Sequence, residues 1–263
     1  MKSIHQALLL CATLLCACSH IDTDERLIYV KPEAAKRAVL LEDFTGQRCV
    51  NCPLGADVIS QLQQEYGDSL VIAVGIHGGP LGFAGTAAAV GLATPLGDEY
   101  YNHWQLEYQP VGLVNRHGAT NYTDWARAVR AELAKTAPLT MQVKAEMSET
   151  EAGDNGSIDI TVSMLATDGT VRGRLQVWVV EDSIQALQMM PDGSVNREYV
   201  HNHVLRAAVN GTWGDDYTAS KGDSWSHSFT QAVPSSWNRQ KLSVVAFVYN
   251  DQGVEQVVKT IVK

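Results

Sequence analysis

The chain has 263 residues, 45% of them hydrophobic and 19% charged, with a formal net charge of −9. That is enough apolar material for roughly two domains with cores of their own, so folding needs no disulfide framework. Such an acidic balance argues against nucleic acid or anionic lipid head groups as partners, and no apolar stretch is long enough to cross a bilayer.

In chain order, Met1-Lys2 opens with a positive charge, an apolar run covers residues 7–15, and small residues lead into Cys18. This is the layout of a secretory signal. Leu15-Cys16-Ala17-Cys18 resembles the bacterial lipobox, which implies a signal at 1–17, cleavage before Cys18 and lipid on that thiol; the alternative is an ordinary cleaved signal that leaves a free cysteine. Ser19 after it resembles the pattern of lipoproteins sent to the outer membrane, with periplasmic or surface exposure left open. The membrane, through the lipid, is thus one expected partner. Residues 18–36 read as a tether. Cys11 and Cys16 leave with the signal and Cys18 is acylated, so of five cysteines only Cys49 and Cys52 remain.

From 37 to 136 the chain mixes strand and helix signals. Residues 38–44 read as a buried strand, 53–66 as a helix with Val58, Ile59 and Leu62 on one side, and 70–76 as a second buried strand. Continuous apolar strands separated by a helix predict a parallel pair in an α/β sheet. The first strand delivers Cys49-Val50-Asn51-Cys52 to the start of the helix, where unpaired N–H groups and the dipole favour a thiolate. A redox pair, a structural disulfide and half of a zinc site are the three readings of that spacing. The Gly- and Ala-rich stretch 78–97 lacks the lysine and serine of a phosphate loop. A short helix after Thr94-Pro95, a strand at 111–114 and a helix from Thr123-Asp124-Trp125 to about Lys135 complete this half. The aromatic residues Tyr100, Tyr101, Trp104 and Tyr108 read as packing rather than a ligand platform.

From 138 to 263 the pattern turns to strands. Residues 139–147 and 157–166 alternate about Gly153-Asp154-Asn155-Gly156, strands follow at 175–180 and 226–229, and 242–249 pairs with 254–262 about Asn250-Asp251-Gln252-Gly253. Short strands with such turns suggest an immunoglobulin-like β-sandwich.

Asp43-Phe44 stands six positions before Cys49, and Gln109-Pro110 opens a later strand. Residues 37–136 therefore resemble a thioredoxin-like domain, and the predicted fold class is an α/β thioredoxin-like domain followed by an all-β immunoglobulin-like sandwich. With Val114-Asn115-Arg116, the run Tyr199-Val200-His201-Asn202-His203-Val204-Leu205-Arg206 and Asn210-Gly211-Thr212-Trp213-Gly214, the chain is similar to the 28 kDa outer membrane protein family of Bacteroidota lipoproteins. Members of that family have been discussed as surface receptors or adhesins.

The thioredoxin resemblance implies roles. Cys49 at an exposed helix N-terminus would attack a substrate disulfide, and Cys52 would resolve the mixed disulfide and otherwise pair with Cys49. Asp43 would be a buried carboxylate that takes the Cys52 proton, and Pro110 in cis would set the Gln109 backbone beside an extended substrate. Arg48 stands where thioredoxins carry tryptophan; it either adds positive charge near the thiolate or is a solvated surface residue. His201 and His203 share a strand face but are assigned to a different domain from the cysteines, so no metal and no cofactor is expected. Three functions follow: an envelope thiol–disulfide oxidoreductase acting on protein thiols or disulfides, a surface-binding lipoprotein with its own ligand, and a structural lipoprotein whose disulfide steadies a helix.

Overall fold

The structure, a computed structural model, describes residues 35–148 and 156–263. The signal, Cys18, the tether to residue 34 and turn residues 153–155 lie outside the described residues. A short β1 (Ala35–Lys36) leads into β2 (Val39–Thr45), helix α1 (Cys52–Tyr66) and β3 (Val71–His77), with α2 (Pro95–His103), β4 (Val111–Val114), β5 (Ala119–Asn121) and α3 (Trp125–Leu133) following. β2 and β3 pair in parallel from Val39↔Val71 to Thr45↔His77. Both strands are buried along their whole length. Alternation divides their side chains: Val39, Leu41, Val71 and Ala73 pack with Ile59 and Leu62 of α1 and Trp125 and Val129 of α3, while Leu40, Phe44, Ile72, Val74 and Ile76 meet Tyr100 and Tyr101 of α2. Burial on both faces is why these strands read as unbroken apolar runs.

Beyond β3 the sheet continues into the second half of the chain. β12 (Val204–Ala208) is parallel to β3 at Val204↔Gly75 and antiparallel to β9 (Thr170–Glu181). β9 pairs with β15 (Leu242–Asn250) and with β13 (Asp215–Ser220), and β15 pairs with β16 (Gly253–Ile261). A three-stranded sheet of β7 (Leu139–Ser148), β8 (Ser157–Ala166) and β14 (Ser224–Ala232) faces this region. Leu139, Ile158, Ile160, Val162, Leu175, Val177, Val179 and Val244 fill the space between, which makes this part sandwich-like. β10 (Ile184–Met189) and β11 (Val195–His201) form a separate hairpin, and β6 (Thr136–Ala137) pairs with β1.

The expected fold class is therefore corrected. Among the described residues sixteen strands stand against three α-helices, and one nine-stranded sheet draws on both halves of the chain; no separate α/β thioredoxin-like domain precedes a sandwich. The reason lies at the outer edge of β3. Left unpaired, that edge would present backbone donors and acceptors without partners, and the start of β12 meets it at one point, where Val204 stands opposite Gly75 and Gly75 N donates to His203 O at 2.7 Å. Hydrophobic periodicity reports the faces of a strand and says nothing of which strand lies at its edge.

A buried ion pair fastens the two halves together. Asn115 and Arg116 after β4 both adopt left-handed backbone, φ 48° and 61°. Asn115 Oδ1 accepts from Leu40 N at 2.8 Å, and its carbonyl accepts from Val254 N at 2.9 Å. Arg116 donates to both Glu42 oxygens from Nε and again from Nη2 at 2.9 Å. Its guanidinium also lies 4.2 Å from the Tyr249 ring centroid and 4.8 Å from that of Phe247, both on β15. Glu42 from β2 is thus neutralised by a cation seated against side chains from the other half.

Candidate functional site

Cys49 and Cys52 form a disulfide with Cα atoms 5.4 Å apart. Cys52 is the first residue of α1, Pro53 follows it, and Cys49 lies in the preceding turn, donating from its backbone N to Gly46 O at 3.0 Å. The thioredoxin resemblance implies an exposed Cys49. Instead Cys49 is 1% and Cys52 3% exposed, while Arg48, Val50 and Asn51 around them face solvent.

Two segments produce that burial. The glycine-rich stretch passes over the turn with no room to spare: a Cβ on Gly46 would meet Leu81 O at 2.3 Å, and Arg48 N donates to the same carbonyl at 3.1 Å. The β10–β11 hairpin closes the other side. Gln188 Nε2 donates to Cys49 O at 2.8 Å and Gly46 O at 3.3 Å, Met189 N donates to Gln47 O at 2.9 Å, and Gln47 Nε2 donates to Leu187 O at 3.0 Å. The Arg48 guanidinium lies 5.2 Å from the Phe83 ring centroid, so it caps the glycine-rich loop.

The Gln109–Pro110 bond is cis. A Cβ on Gly55 would sit 3.4 Å from Pro110 Cβ, which places the proline against the first turn of α1. The Gln109 side chain is occupied within the fold: Nε2 donates to Thr45 O at 2.7 Å and Gly78 O at 3.0 Å, and Oε1 accepts from Leu81 N at 3.1 Å.

Asp43 shares the α1 face of β2 with Val39 and Leu41. Burial pushes its carboxyl up to about 7, and Oδ1 has no hydrogen-bond partner among the described residues. It lines a cleft of about 520 Å³ between α1 and the hairpin, together with Cys52, Asp57, His77, Tyr199 and His201. His77 and His201 have ring centroids 5.3 Å apart. Burial holds the His77 imidazole well below its usual range and brings His201 down to about 4, so both are neutral at physiological pH. At the rim, burial works to raise the Asp182 carboxyl, but the hydrogen bond and charge of His203 and the charge of Lys259 outweigh it and hold it at about 2. The structure therefore gathers Cys49, Cys52, Asp43 and Pro110 around the start of α1. It also brings in His77, which by sequence reads either as facing the cysteines or as a turn histidine without a role, and His201, whose strand was assigned to the other domain.

The profile of the family described as outer membrane protein Omp28 matches residues 97–263. The chain belongs to the Omp28 outer membrane protein family. It is accordingly an outer-membrane protein. The matched segment begins after the cysteine pair, so family membership carries no statement about Cys49 and Cys52. Among solved structures, HBP35 of Porphyromonas gingivalis is 16% identical with a TM-score of 0.67, covering 87% of this chain and 76% of that one; this likeness shows the fold alone. A domain of the outer membrane lipoprotein Omp28 from Porphyromonas gingivalis is 28% identical over 48% of this chain and 89% of that one, with a TM-score of 0.33. A comparison with curated proteins finds no match.

Two segments quoted for the Omp28 resemblance have visible work in the fold. Asn210 of the 210–214 run accepts from Val177 N at 2.9 Å and donates to Leu175 O at 2.8 Å, locking that loop onto β9. The 199–206 run forms the end of β11 and most of β12, which is how His201 reaches the cleft while Val204 joins β3. His201 could have been found from the alternation of Tyr199 and His201 on one face of β11, whereas the expected shared face with His203 is not formed, because the strand ends at His201 and His203 adopts left-handed backbone, φ 59°; its neighbour His77 lies far away in sequence.

Proposed function

We propose that this outer-membrane protein carries out thiol–disulfide exchange in the cell envelope through Cys49 and Cys52. The observation that supports the reading is Asp43. A disulfide that only steadied a helix would need no buried acid near it, and an unpartnered buried carboxyl costs stability. A carboxyl poised near neutral pH on the wall shared with Cys52 suits proton transfer to and from a cysteine. Protein thiols or disulfides would reach the pair when the β10–β11 hairpin lifts, which requires release of the polar contacts around Gln47 and Gln188 and of the small apolar contact of Ile184 and Ala186 with Leu92 and Val204. Attachment to the membrane would be through lipid on Cys18.

The test is to expose the oxidised, folded protein to dithiols and follow loss of the disulfide by alkylation and mass spectrometry. Exchange should occur under native conditions, and Asp43→Asn should slow it at neutral pH without blocking folding. A disulfide that is reduced only in denaturant would reject the proposal.

The burial of both cysteines favours a second reading, a surface-binding lipoprotein with a purely structural disulfide. In that case a Cys49→Ser/Cys52→Ser variant would lose stability and keep whatever ligand binding the wild type shows.

A further inference from the structure

The cleft between α1 and the β10–β11 hairpin has Cys52 on its wall, whereas Cys49 is not part of it. Its volume, about 520 Å³, falls in the usual range for small-molecule sites and is far below what a folded partner requires. Among the described residues, three polar atoms on side chains no more than 6% exposed, Asp43 Oδ1, His77 Nδ1 and His201 Nε2, have no hydrogen-bond partner. Leaving such a group unpaired is costly, so three on residues that line one cleft, Asp43 and His77 from the sheet and His201 from the hairpin, point to a guest that hydrogen-bonds. The lining contains no lysine or arginine; Asp57 is exposed on it, while Asp182 is already engaged by His203 and Lys259.

Resting on the exchange reading above, we propose that this cleft binds a small thiol without net negative charge, a cationic aminothiol best of all, and directs it onto the sulfur of Cys52. The thiol enters as its thiolate. It forms a bond to Cys52 Sγ as the Cys49–Cys52 bond breaks, and the electron pair passes to Cys49, which takes up the proton released when the thiol ionised. A second molecule of thiol then displaces Cys52 from the mixed disulfide. The small thiol leaves oxidised as its own disulfide, and the protein is left with two thiols. The ammonium of an aminothiol would lie near Asp57, and the imidazoles and the Asp43 carboxyl would meet its polar groups.

The experiment uses the oxidised full-length protein at low ionic strength with cysteamine, 2-mercaptoethanol and thioglycolate. Each rate is divided by that thiol's rate on a linear reference disulfide, which removes differences in intrinsic nucleophilicity. The normalised rate should be at least tenfold higher for cysteamine than for thioglycolate, and Asp57→Lys should reverse that order. Ala56→Trp and, separately, Ser60→Trp, which fill the cleft from α1, should each slow cysteamine at least tenfold. Quenching with iodoacetamide should place cysteamine on Cys52 and the alkyl group on Cys49. Equal normalised rates, no effect of the filling variants, or an adduct on Cys49 would overturn the cleft assignment while leaving exchange intact. If no thiol reduces the folded disulfide, the exchange reading fails as well.

Discussion

Replacing Asp43 by asparagine should stabilise the protein, by an amount that depends on pH. The free chain ionises an aspartate at 3.8, and burial moves Asp43 to about 7 in the folded state. Between these values the folded protein holds a proton that the unfolded chain has released, so stability falls as pH rises through the window. At about 1.36 kcal/mol per pKa unit, the loss reaches about 4 kcal/mol above pH 7. Asparagine cannot ionise, so the variant escapes that loss. Near pH 4 the two proteins should unfold at similar urea concentrations, and by pH 8 the variant should be the more stable by a few kcal/mol. His201 works in the opposite direction, because its folded value of about 4 lies below the free value of 6.5 and stability rises with pH between them. The two slopes partly cancel in the wild type. The informative quantity is therefore the difference between the proteins, measured by urea titration with tryptophan fluorescence at each pH from 4 to 8. A difference that stays constant across that range would refute the reasoning.

Other perturbations have separate outcomes. Arg116→Met leaves Glu42 buried and uncompensated and should cost about 3–5 kcal/mol, whereas adding Glu42→Leu should recover most of it; urea midpoints of the three variants decide. Gly46→Ala places a methyl 2.3 Å from Leu81 O, an overpacking expected to cost about 1–3 kcal/mol and to loosen the glycine-rich loop, read as faster amide exchange at Leu81 and Gly82. Removing both cysteines as Cys49→Ser/Cys52→Ser opens only a short loop and should cost about 2 kcal/mol, a small drop in melting temperature. Gln188→Ala removes the bonds to Cys49 O and Gly46 O and should raise the rate at which small thiols reduce the native disulfide several-fold, scored by alkylation.

Much of the local structure was legible in the sequence. The unbroken apolar runs became β2 and β3 because each is buried on both faces, and alternation at 139–147 and 157–166 became β7 and β8 because one face packs and the other is wet. The cysteine spacing at a strand-to-helix junction left three readings open, and the structure shows the pair joined as a disulfide at the start of α1. Strands β10 to β13 were not legible. β11 is exposed along almost all of its length and has no apolar face to betray it, and β12 is five residues defined by its ladder to β9 and its single pairing to β3.

Taken alone, the sequence determined the periodicities, the export signature, the family and the chemistry available at Cys49, Cys52 and Asp43, because each of these is written in residue types at short range. Tertiary structure decided the rest. Pairing of β12 with both β3 and β9 merged what read as two domains, since a buried strand edge must find partners wherever the chain can supply them. The same hairpin-and-strand run covered the disulfide and carried His201 to His77, contacts between segments more than a hundred positions apart that no local pattern encodes.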